Sequence, residues 1–114
     1  MPYISTKTNV SISKEKEVKI KSALGKAINI LPGKSENWLM LSFEEECSMY
    51  FKGESDKNIA FVEVKLFGKS SSDAYDKLTL EITGILNREL QIAPENIYVK
   101  YEEVSHWGYN GHNF

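Results

Sequence analysis

The 114-residue sequence is poor in the side chains that most often carry protein chemistry. It has one cysteine, Cys47, and two histidines, so it can form no internal disulfide and offers few ligands for a metal ion. Its 14 Lys and Arg residues nearly balance its 16 Asp and Glu residues, which is unlike the basic excess of a nucleic-acid-binding domain. No apolar run reaches the ~18 residues of a membrane-spanning helix. We therefore expect no metal, no cofactor, no nucleic acid and no membrane partner.

The chain does contain enough apolar residues to fold as one domain over residues 1–114. Hydrophobic residues make up 41% of it, a fraction too high for a disordered chain. A chain of this length buries roughly two thirds of its unfolded surface. The first ten residues lack the basic start and apolar stretch of a signal peptide, and a free thiol favours a reducing compartment. A cytoplasmic location is the resulting prediction.

Two similar halves follow each other, at about residues 2–58 and 59–114. When Ser13 is laid on Ser72, Gly25 falls on Gly84. Alternating and helical apolar patterns predict the same order of strand, helix and strand in each half. The predicted strands are 3–7, 38–43, 59–67 and 97–101. The first predicted helix runs from an N-cap at Ser11 or Ser13 to Leu31, and the second covers about 75–90. Residues 49–51 are predicted to form a short strand or a hairpin arm.

This order predicts an α+β fold made of two β-α-β repeats. A helix that crosses between neighbouring strands makes their pairing parallel. Two such units side by side give a four-stranded mixed sheet with both helices on one face. The other face must be buried elsewhere, and the apolar run at 38–43 favours association with further copies of the chain.

The C-terminal segment differs from the rest of the chain. Residues 106–114 contain no Lys, Arg, Asp or Glu but hold both histidines and three aromatic residues, Trp107, Tyr109 and Phe114. Chain termini are usually polar and mobile. We therefore expect this segment to pack against another part of the protein.

Pro2 is the residue whose position suggests reactivity. A small residue after Met1 normally permits removal of the initiator methionine, which would leave Pro2 with a terminal secondary amine. Model α-amino groups titrate at about 7.7–8.0, and an apolar pocket with a nearby cation lowers that pKa further. Such an amine is a general base near neutral pH without any histidine. A Met-Pro start is also common in proteins, so an ordinary structural role stays open on these residues alone.

Several segments together resemble one family over essentially the whole chain. They are the opening M-P-Y-I-S-T-K-T-N-V, the pair Gly33-Lys34, and the stretches M-Y-F-K-G-E-S, N-I-Y-V-K-Y and W-G-Y-N-G-H-N-F. The chain resembles the macrophage migration inhibitory factor and D-dopachrome tautomerase family within the tautomerase superfamily. The resemblance implies a homotrimer and cofactor-independent keto–enol conversion of a phenylpyruvate-type 2-keto acid.

The resemblance also implies roles for individual residues. Pro2 matches the catalytic base, and Lys34 matches a lysine that holds a substrate carboxylate or carbonyl oxygen. Tyr98 matches a pocket tyrosine supplied by the neighbouring subunit, and Lys100 would add a second positive charge near the mouth. The remaining matches are aromatic positions that line the pocket in relatives: Tyr3, Trp38, Phe67, Trp107, Tyr109 and Phe114.

Two other functions compete with the tautomerase as interpretations of the sequence. The first is a signalling protein of the same fold that binds a protein receptor, is secreted without a signal peptide and retains only vestigial tautomerase activity. The second is a nucleic-acid module, because β-α-β units also build RNA-binding sheets. The net charge of −2 and the lack of a basic aromatic motif argue against the second.

Overall fold

The computed structural model describes residues Met1–Phe114 and contains two β-α-β units that share one sheet. The first unit consists of β1 (Pro2–Thr8), α1 (Lys14–Ala27) and β2 (Met40–Glu44). The second consists of β3 (Ala60–Phe67), α2 (Ser72–Leu90) and β4 (Ile97–Val104). A C-terminal hairpin of β5 (Gly108–Tyr109) and β6 (His112–Asn113) follows. Short 3-10 turns occupy Ile28–Ile30, Glu36–Trp38 and Pro94–Asn96.

The strand order of the sheet is β2-β1-β3-β4. β1 pairs with β2 in parallel, and β3 pairs with β4 in parallel, as the crossover helices require. The two units meet through the antiparallel pairing of β1 and β3, in which Pro2 lies opposite Leu66. The mixed four-stranded sheet with two helices confirms the predicted fold class.

Both helices begin at a serine that caps their first turn. The side chain of Ser13 accepts a hydrogen bond from the Lys16 N–H at 3.2 Å, and Ser71 does the same for Ala74 at 3.1 Å. A side-chain oxygen at this position satisfies a backbone N–H that the helix itself leaves unpaired. The predicted cap at Ser13 is therefore confirmed, and the serine run before α2 serves the same purpose.

The core lies between the two helices and one face of the sheet. Burial alternates strictly along β3, where Ala60, Val62, Val64 and Leu66 are buried while the residues between them are partly exposed. The apolar positions of α1 and α2 cover that face, and the fully buried helix residues include Ile20, Leu24, Leu78, Ile82 and Ile85. The apolar residues that recur every second position in the strand thus pack against those that recur at helical spacing in α1 and α2, and together they form one hydrophobic layer.

The face of the sheet that the helices leave open is charged. Lys7 lies 3.9 Å from Glu44 across β1 and β2, and Lys65 lies 3.7 Å from Glu63 within β3. The apolar run at 38–43 does not cover this face, because Leu41 and Phe43 pack toward the core. Met40, at 68% exposure, is the apolar residue that β2 presents to solvent.

Several elements differ from the predicted ones. β2 begins at Met40 because Glu36–Trp38 forms a 3-10 turn, so Trp38 lies outside the strand. Helix α1 ends at Ala27, and 3-10 geometry continues to Ile30. Residues 49–51 form no strand: Phe51 makes a single bridge to Glu54 around a two-residue turn with positive φ angles. An apolar run alone does not distinguish a strand from a tight turn.

Truncation of Leu78 tests the position of the core. Leu78 is fully buried in α2, whereas Leu80 on the same helix is 76% exposed. We expect Leu78→Ala to lower the free energy of unfolding by about 2–5 kcal/mol because it leaves a cavity. Leu80→Ala, the matched control, should change it by less than about 0.5 kcal/mol. Urea unfolding followed by far-UV circular dichroism at one protein concentration measures both, and equal losses would contradict this core.

Candidate active site

A cleft of about 700 Å³ opens at the end of the sheet where β1 and β2 begin. Three segments form its walls: the first residues of the chain, the turn that leads into β2, and the start of the C-terminal hairpin. The lining residues are Met1, Pro2, Tyr3, Asn37, Trp38, Leu39, Met40, Leu41, Trp107, Gly108 and Tyr109. Most are apolar, as is usual for a cleft that binds a small organic ligand.

The start of the chain is fixed against the end of β3. Pro2 is buried as the first residue of β1. The backbone N–H of Phe67 donates a hydrogen bond of 3.2 Å to the carbonyl oxygen of Met1. With Met1 present, the Pro2 nitrogen is a tertiary amide without basicity, and the terminal amine belongs to Met1.

Lys34 supplies the positive charge next to the terminal amine. Its ammonium group donates a hydrogen bond of 3.0 Å to the carbonyl oxygen of Phe67, the same residue that anchors Met1. The preceding residue, Gly33, has a φ of 80°, and the backbone N–H of Lys34 donates to Leu31 at 3.0 Å. A turn that needs glycine thus directs Lys34 back toward β3.

The terminal amine of Met1 is shifted toward its neutral form. Burial lowers the pKa of this amine below its ordinary value of about 8.0, and the charge of Lys34 lowers that pKa further. Both causes lower the pKa, because burial disfavours the charged form of the amine and Lys34 repels a second positive charge beside it. The environment at the beginning of the chain therefore makes the terminal amine easier to deprotonate than an ordinary α-amino group.

Two aromatic contacts join the C-terminal segment to the cleft. The Tyr109 and Trp38 rings lie nearly perpendicular, at 87°, with their centroids 5.3 Å apart. The Phe114 ring lies 5.5 Å from the ring of Phe67. The expected packing of this segment is thus made by its aromatic side chains, although the hairpin residues themselves are exposed.

The structure brings most of the sequence-predicted site residues together. Pro2, Tyr3, Trp38, Trp107 and Tyr109 line the cleft. Lys34, Phe67 and Phe114 adjoin it through the contacts described above. The Tyr3 hydroxyl also forms a 2.7 Å hydrogen bond with Ser42, which fixes the Tyr3 ring against β2.

Tyr98 lies away from the cleft of its own chain. It pairs with Phe61 near the beginning of β3, whereas the cleft adjoins Phe67 at the other end of that strand. Its ring packs edge-on against Phe51 and Phe61, with centroids 5.1 and 6.2 Å away. Tyr98 can therefore reach such a cleft only in another copy of the chain.

Lys100 is occupied by two carboxylates on the open face of the sheet. Its ammonium group lies 2.7 Å from Glu102 and 3.6 Å from Glu63. The hydrogen bond to Glu102 is the main reason that the pKa of Lys100 is raised. Within the chain, this lysine carries a compensated charge rather than one available to the cleft.

Sequence reasoning missed part of the cleft wall and the shape of its C-terminal side. Asn37, Leu39, Met40 and Leu41 were not assigned to the site, because they come together with Pro2 only through strand pairing. The hairpin had a readable signal in Asn110-Gly111, whose φ angles are 53° and 82°. Asn-Gly is the dipeptide most typical of a two-residue hairpin turn of this kind.

The side chains and helices of the structure bear on two kinds of site: a cluster of metal ligands and a membrane-crossing helix. No group of three or more His, Cys, Asp or Glu side chains is arranged to hold a metal ion. None of the helices combines the length and the apolar character needed to cross a bilayer.

The fold and the cleft define the class of protein: a duplicated β-α-β domain with a small-ligand cleft built over the start of its first strand. The family model described as macrophage migration inhibitory factor (MIF) matches residues 1–114. The chain belongs to the MIF family, as its sequence motifs predicted.

Solved structures of MIF proteins are similar over nearly the whole chain. MIF2 of Leishmania major is 31% identical, with a TM-score of 0.92 over 100% of this chain and 97% of that one. The protein of Prochlorococcus marinus is 25% identical, with a TM-score of 0.82 over 98% of each chain. That of Toxoplasma gondii is 22% identical and shows a shared fold, with a TM-score of 0.90 over 98% and 99%. The comparison with curated proteins found no match.

Proposed function

We propose that this MIF-family protein is a cofactor-independent keto–enol tautomerase in which Pro2 is the general base after Met1 has been removed. One observation carries the proposal: the beginning of the chain lies in an apolar cleft, beside Lys34, where burial and the lysine charge lower the pKa of the terminal amine. Removal of Met1 would transfer the terminal amine to Pro2, which is buried at the start of β1. Burial and the lysine charge would then act on a secondary amine.

The proposed reaction moves one proton between carbon and oxygen. The neutral Pro2 amine takes a proton from the carbon next to the ketone, and the electron pair of that C–H bond forms the C=C bond of an enolate. The protonated Pro2 amine then delivers its proton to the carbonyl oxygen, which gives the enol and restores the neutral amine, and the reverse sequence returns the ketone. The ammonium group of Lys34 would hold the substrate carboxylate or the oxygen on which negative charge develops.

The lining of the cleft supports an aryl 2-keto acid as the substrate class. A carboxylate suits Lys34, which lies beside the anchored start of the chain, and an aromatic ring suits walls made by Trp38, Trp107 and Tyr109. Phenylpyruvate is the simplest compound with both groups, and its enol is stabilised by conjugation with the ring.

A homotrimer is part of the same proposal. Tyr98 and Lys100 lie away from the cleft of their own chain, so they can contribute only from a neighbouring copy. We expect the charged open face of the sheet to stay hydrated within the trimer rather than to form a water-free contact, because burying its charged groups would cost solvation energy.

Turnover of phenylpyruvate tests the proposed function. The Met1-free protein is mixed with the enol form in a buffer containing a metal chelator, and loss of the enol is followed by its ultraviolet absorption. We expect a rate proportional to protein concentration and well above that of the buffer. A rate equal to that of the buffer would contradict the proposal. Membership of the MIF family also supports a cytokine-like binding role, and that outcome would favour it.

A further inference from the structure

The interior of α1 contains a glycine that is covered by a side chain from outside the helix. Gly25 is buried, although glycine is unfavourable in the interior of a helix. A Cβ placed on Gly25 would collide with the carboxylate of Glu36, the first residue of the 3-10 turn before β2. The missing side chain of Gly25 therefore leaves room on α1, and the Glu36 carboxylate occupies it.

The corresponding glycine of the second β-α-β unit does not have this contact. Gly84 occupies the matching position in α2 when the two halves of the chain are aligned. A Cβ placed on Gly84 would meet nothing within 4 Å. Gly84 is therefore a matched control, because the same substitution there changes a helical glycine without touching another side chain.

Lys21 holds the same carboxylate from the preceding turn of α1. Its ammonium group lies 3.6 Å from a carboxylate oxygen of Glu36. Lys21 and Gly25 have the i, i+4 spacing that places two residues on one face of a helix. Room at Gly25 and positive charge at Lys21 together form a seat for the carboxylate, which we call the carboxylate notch.

Glu36 is also the acidic residue nearest to Lys34 in the sequence. Ser35 separates them, and its backbone is extended, with a φ of −151° and a ψ of 164°. An extended residue places the side chains of its two neighbours on the same side of the chain. Lys34 nevertheless donates to a neutral acceptor, the carbonyl oxygen of Phe67 at 3.0 Å, whereas Glu36 is paired with Lys21.

We propose that the carboxylate notch keeps Glu36 away from Lys34, so that Lys34 retains its positive charge for an anionic ligand. Gly25 is then a positioning residue that acts through Glu36. A side chain at Gly25 would displace the end of a flexible side chain rather than backbone, so the helix stays intact while the carboxylate is released. The released carboxylate would compete with the ligand for Lys34. The ligand class, a carboxylic acid, rests on the proposed function.

Binding of two matched ligands tests this role apart from turnover. The probe is 3-phenylpropionate, which has a ring and a carboxylate but no ketone, and 3-phenylpropanamide is its uncharged counterpart. Isothermal titration calorimetry at low ionic strength compares the wild type with Gly25→Ala and Gly84→Ala. We expect Gly25→Ala to bind the acid about two- to fivefold more weakly, as suits a partly exposed charge pair, and the amide equally well. Gly84→Ala should bind both ligands as the wild type does.

Removal of the Glu36 charge gives a readout that a merely structural role would not change. Glu36→Gln has nearly the same shape, so Gly25→Ala displaces it in the same way, but it carries no charge to compete for Lys34. The double variant should therefore bind the acid as tightly as Glu36→Gln alone. Lys21→Gln opens the notch without altering the buried face of α1 and should also weaken acid binding. Lys19→Gln, which removes another paired lysine of α1, should not.

Several results would overturn the inference. They are unchanged acid binding in both Gly25→Ala and Lys21→Gln, an equal loss of amide binding, a loss that persists with Glu36→Gln, or no binding of 3-phenylpropionate to the wild type. Loss of phenylpyruvate turnover alone has a different meaning. If turnover is absent but the charge-dependent effect of Gly25→Ala on acid binding persists, the tautomerase proposal fails and the role of the carboxylate notch stands.

Discussion

Replacement of Pro2 by glycine is expected to lower kcat/KM for phenylpyruvate by about 10²-fold. The glycine variant still has a terminal amine, but it loses the ring that fixes the nitrogen at the start of β1. Misplacement of a catalytic group lowers the rate by about 10²-fold, and a general base contributes about 10²–10⁴-fold to the rate in typical enzymes. Initial rates of enol loss, measured for protein whose Met1 removal has been verified, give the comparison.

The control for this substitution is another proline of the same chain. Pro94 begins a 3-10 turn before β4 and has no contact with the cleft. Pro94→Ala should therefore keep the activity of the wild type. Sedimentation velocity checks that Pro2→Gly keeps the same assembly. Equal activity of Pro2→Gly and the wild type would show that Pro2 is not the base.

Replacement of Lys34 by glutamine is expected to raise KM for phenylpyruvate by about tenfold or more. A hydrogen bond to a charged group contributes about 1.5–3 kcal/mol, and the substrate carboxylate would lose this partner. Lys34→Arg keeps the charge and should recover much of the affinity. Lys26→Gln, which removes an exposed charge at the end of α1, is the control for net charge.

The same variant should move the pH profile in a defined direction. Lys34 lowers the pKa of the Met1 amine, and we expect it to act in the same way on the Pro2 amine once Met1 is removed, so loss of its charge should raise that pKa. The amine is a base only when neutral, and activity therefore rises as pH increases through its pKa. The midpoint of kcat/KM against pH should shift upward in Lys34→Gln and stay near the wild-type value in Lys34→Arg. A downward shift, or no shift, would contradict the role of Lys34 at the amine.

The sequence predicted the fold well because its apolar periods agree with its capping and turn residues. Apolar and polar residues alternate along β3 both in the sequence and in their burial, and Ser13 caps α1 as predicted. The beginning of β2 was less predictable. Trp38 continues an apolar run in the sequence, but its backbone forms a 3-10 turn and its side chain is left to line the cleft.

The site was predictable only in part, because it depends on contacts between distant parts of the chain. The position of Pro2 after Met1 indicates a possible base and the role of Lys34 follows from the family resemblance, whereas the two backbone groups of Phe67 that anchor Met1 and Lys34 have no sequence signature. Side-chain letters also gave no indication that two carboxylates surround Lys100. Strand pairing creates these neighbours, and a single sequence does not fix which strands pair.

The central claim is that the reactive group is the terminal amine of Pro2, and one measurement tests it most directly. Two preparations of the same sequence are compared: one with Met1 removed and one made while methionine aminopeptidase is inhibited, each verified by intact-mass spectrometry. Phenylpyruvate turnover is then measured for both. The account predicts turnover only in the Met1-free protein, because retained Met1 makes the Pro2 nitrogen an amide. Equal turnover in the two preparations would contradict it.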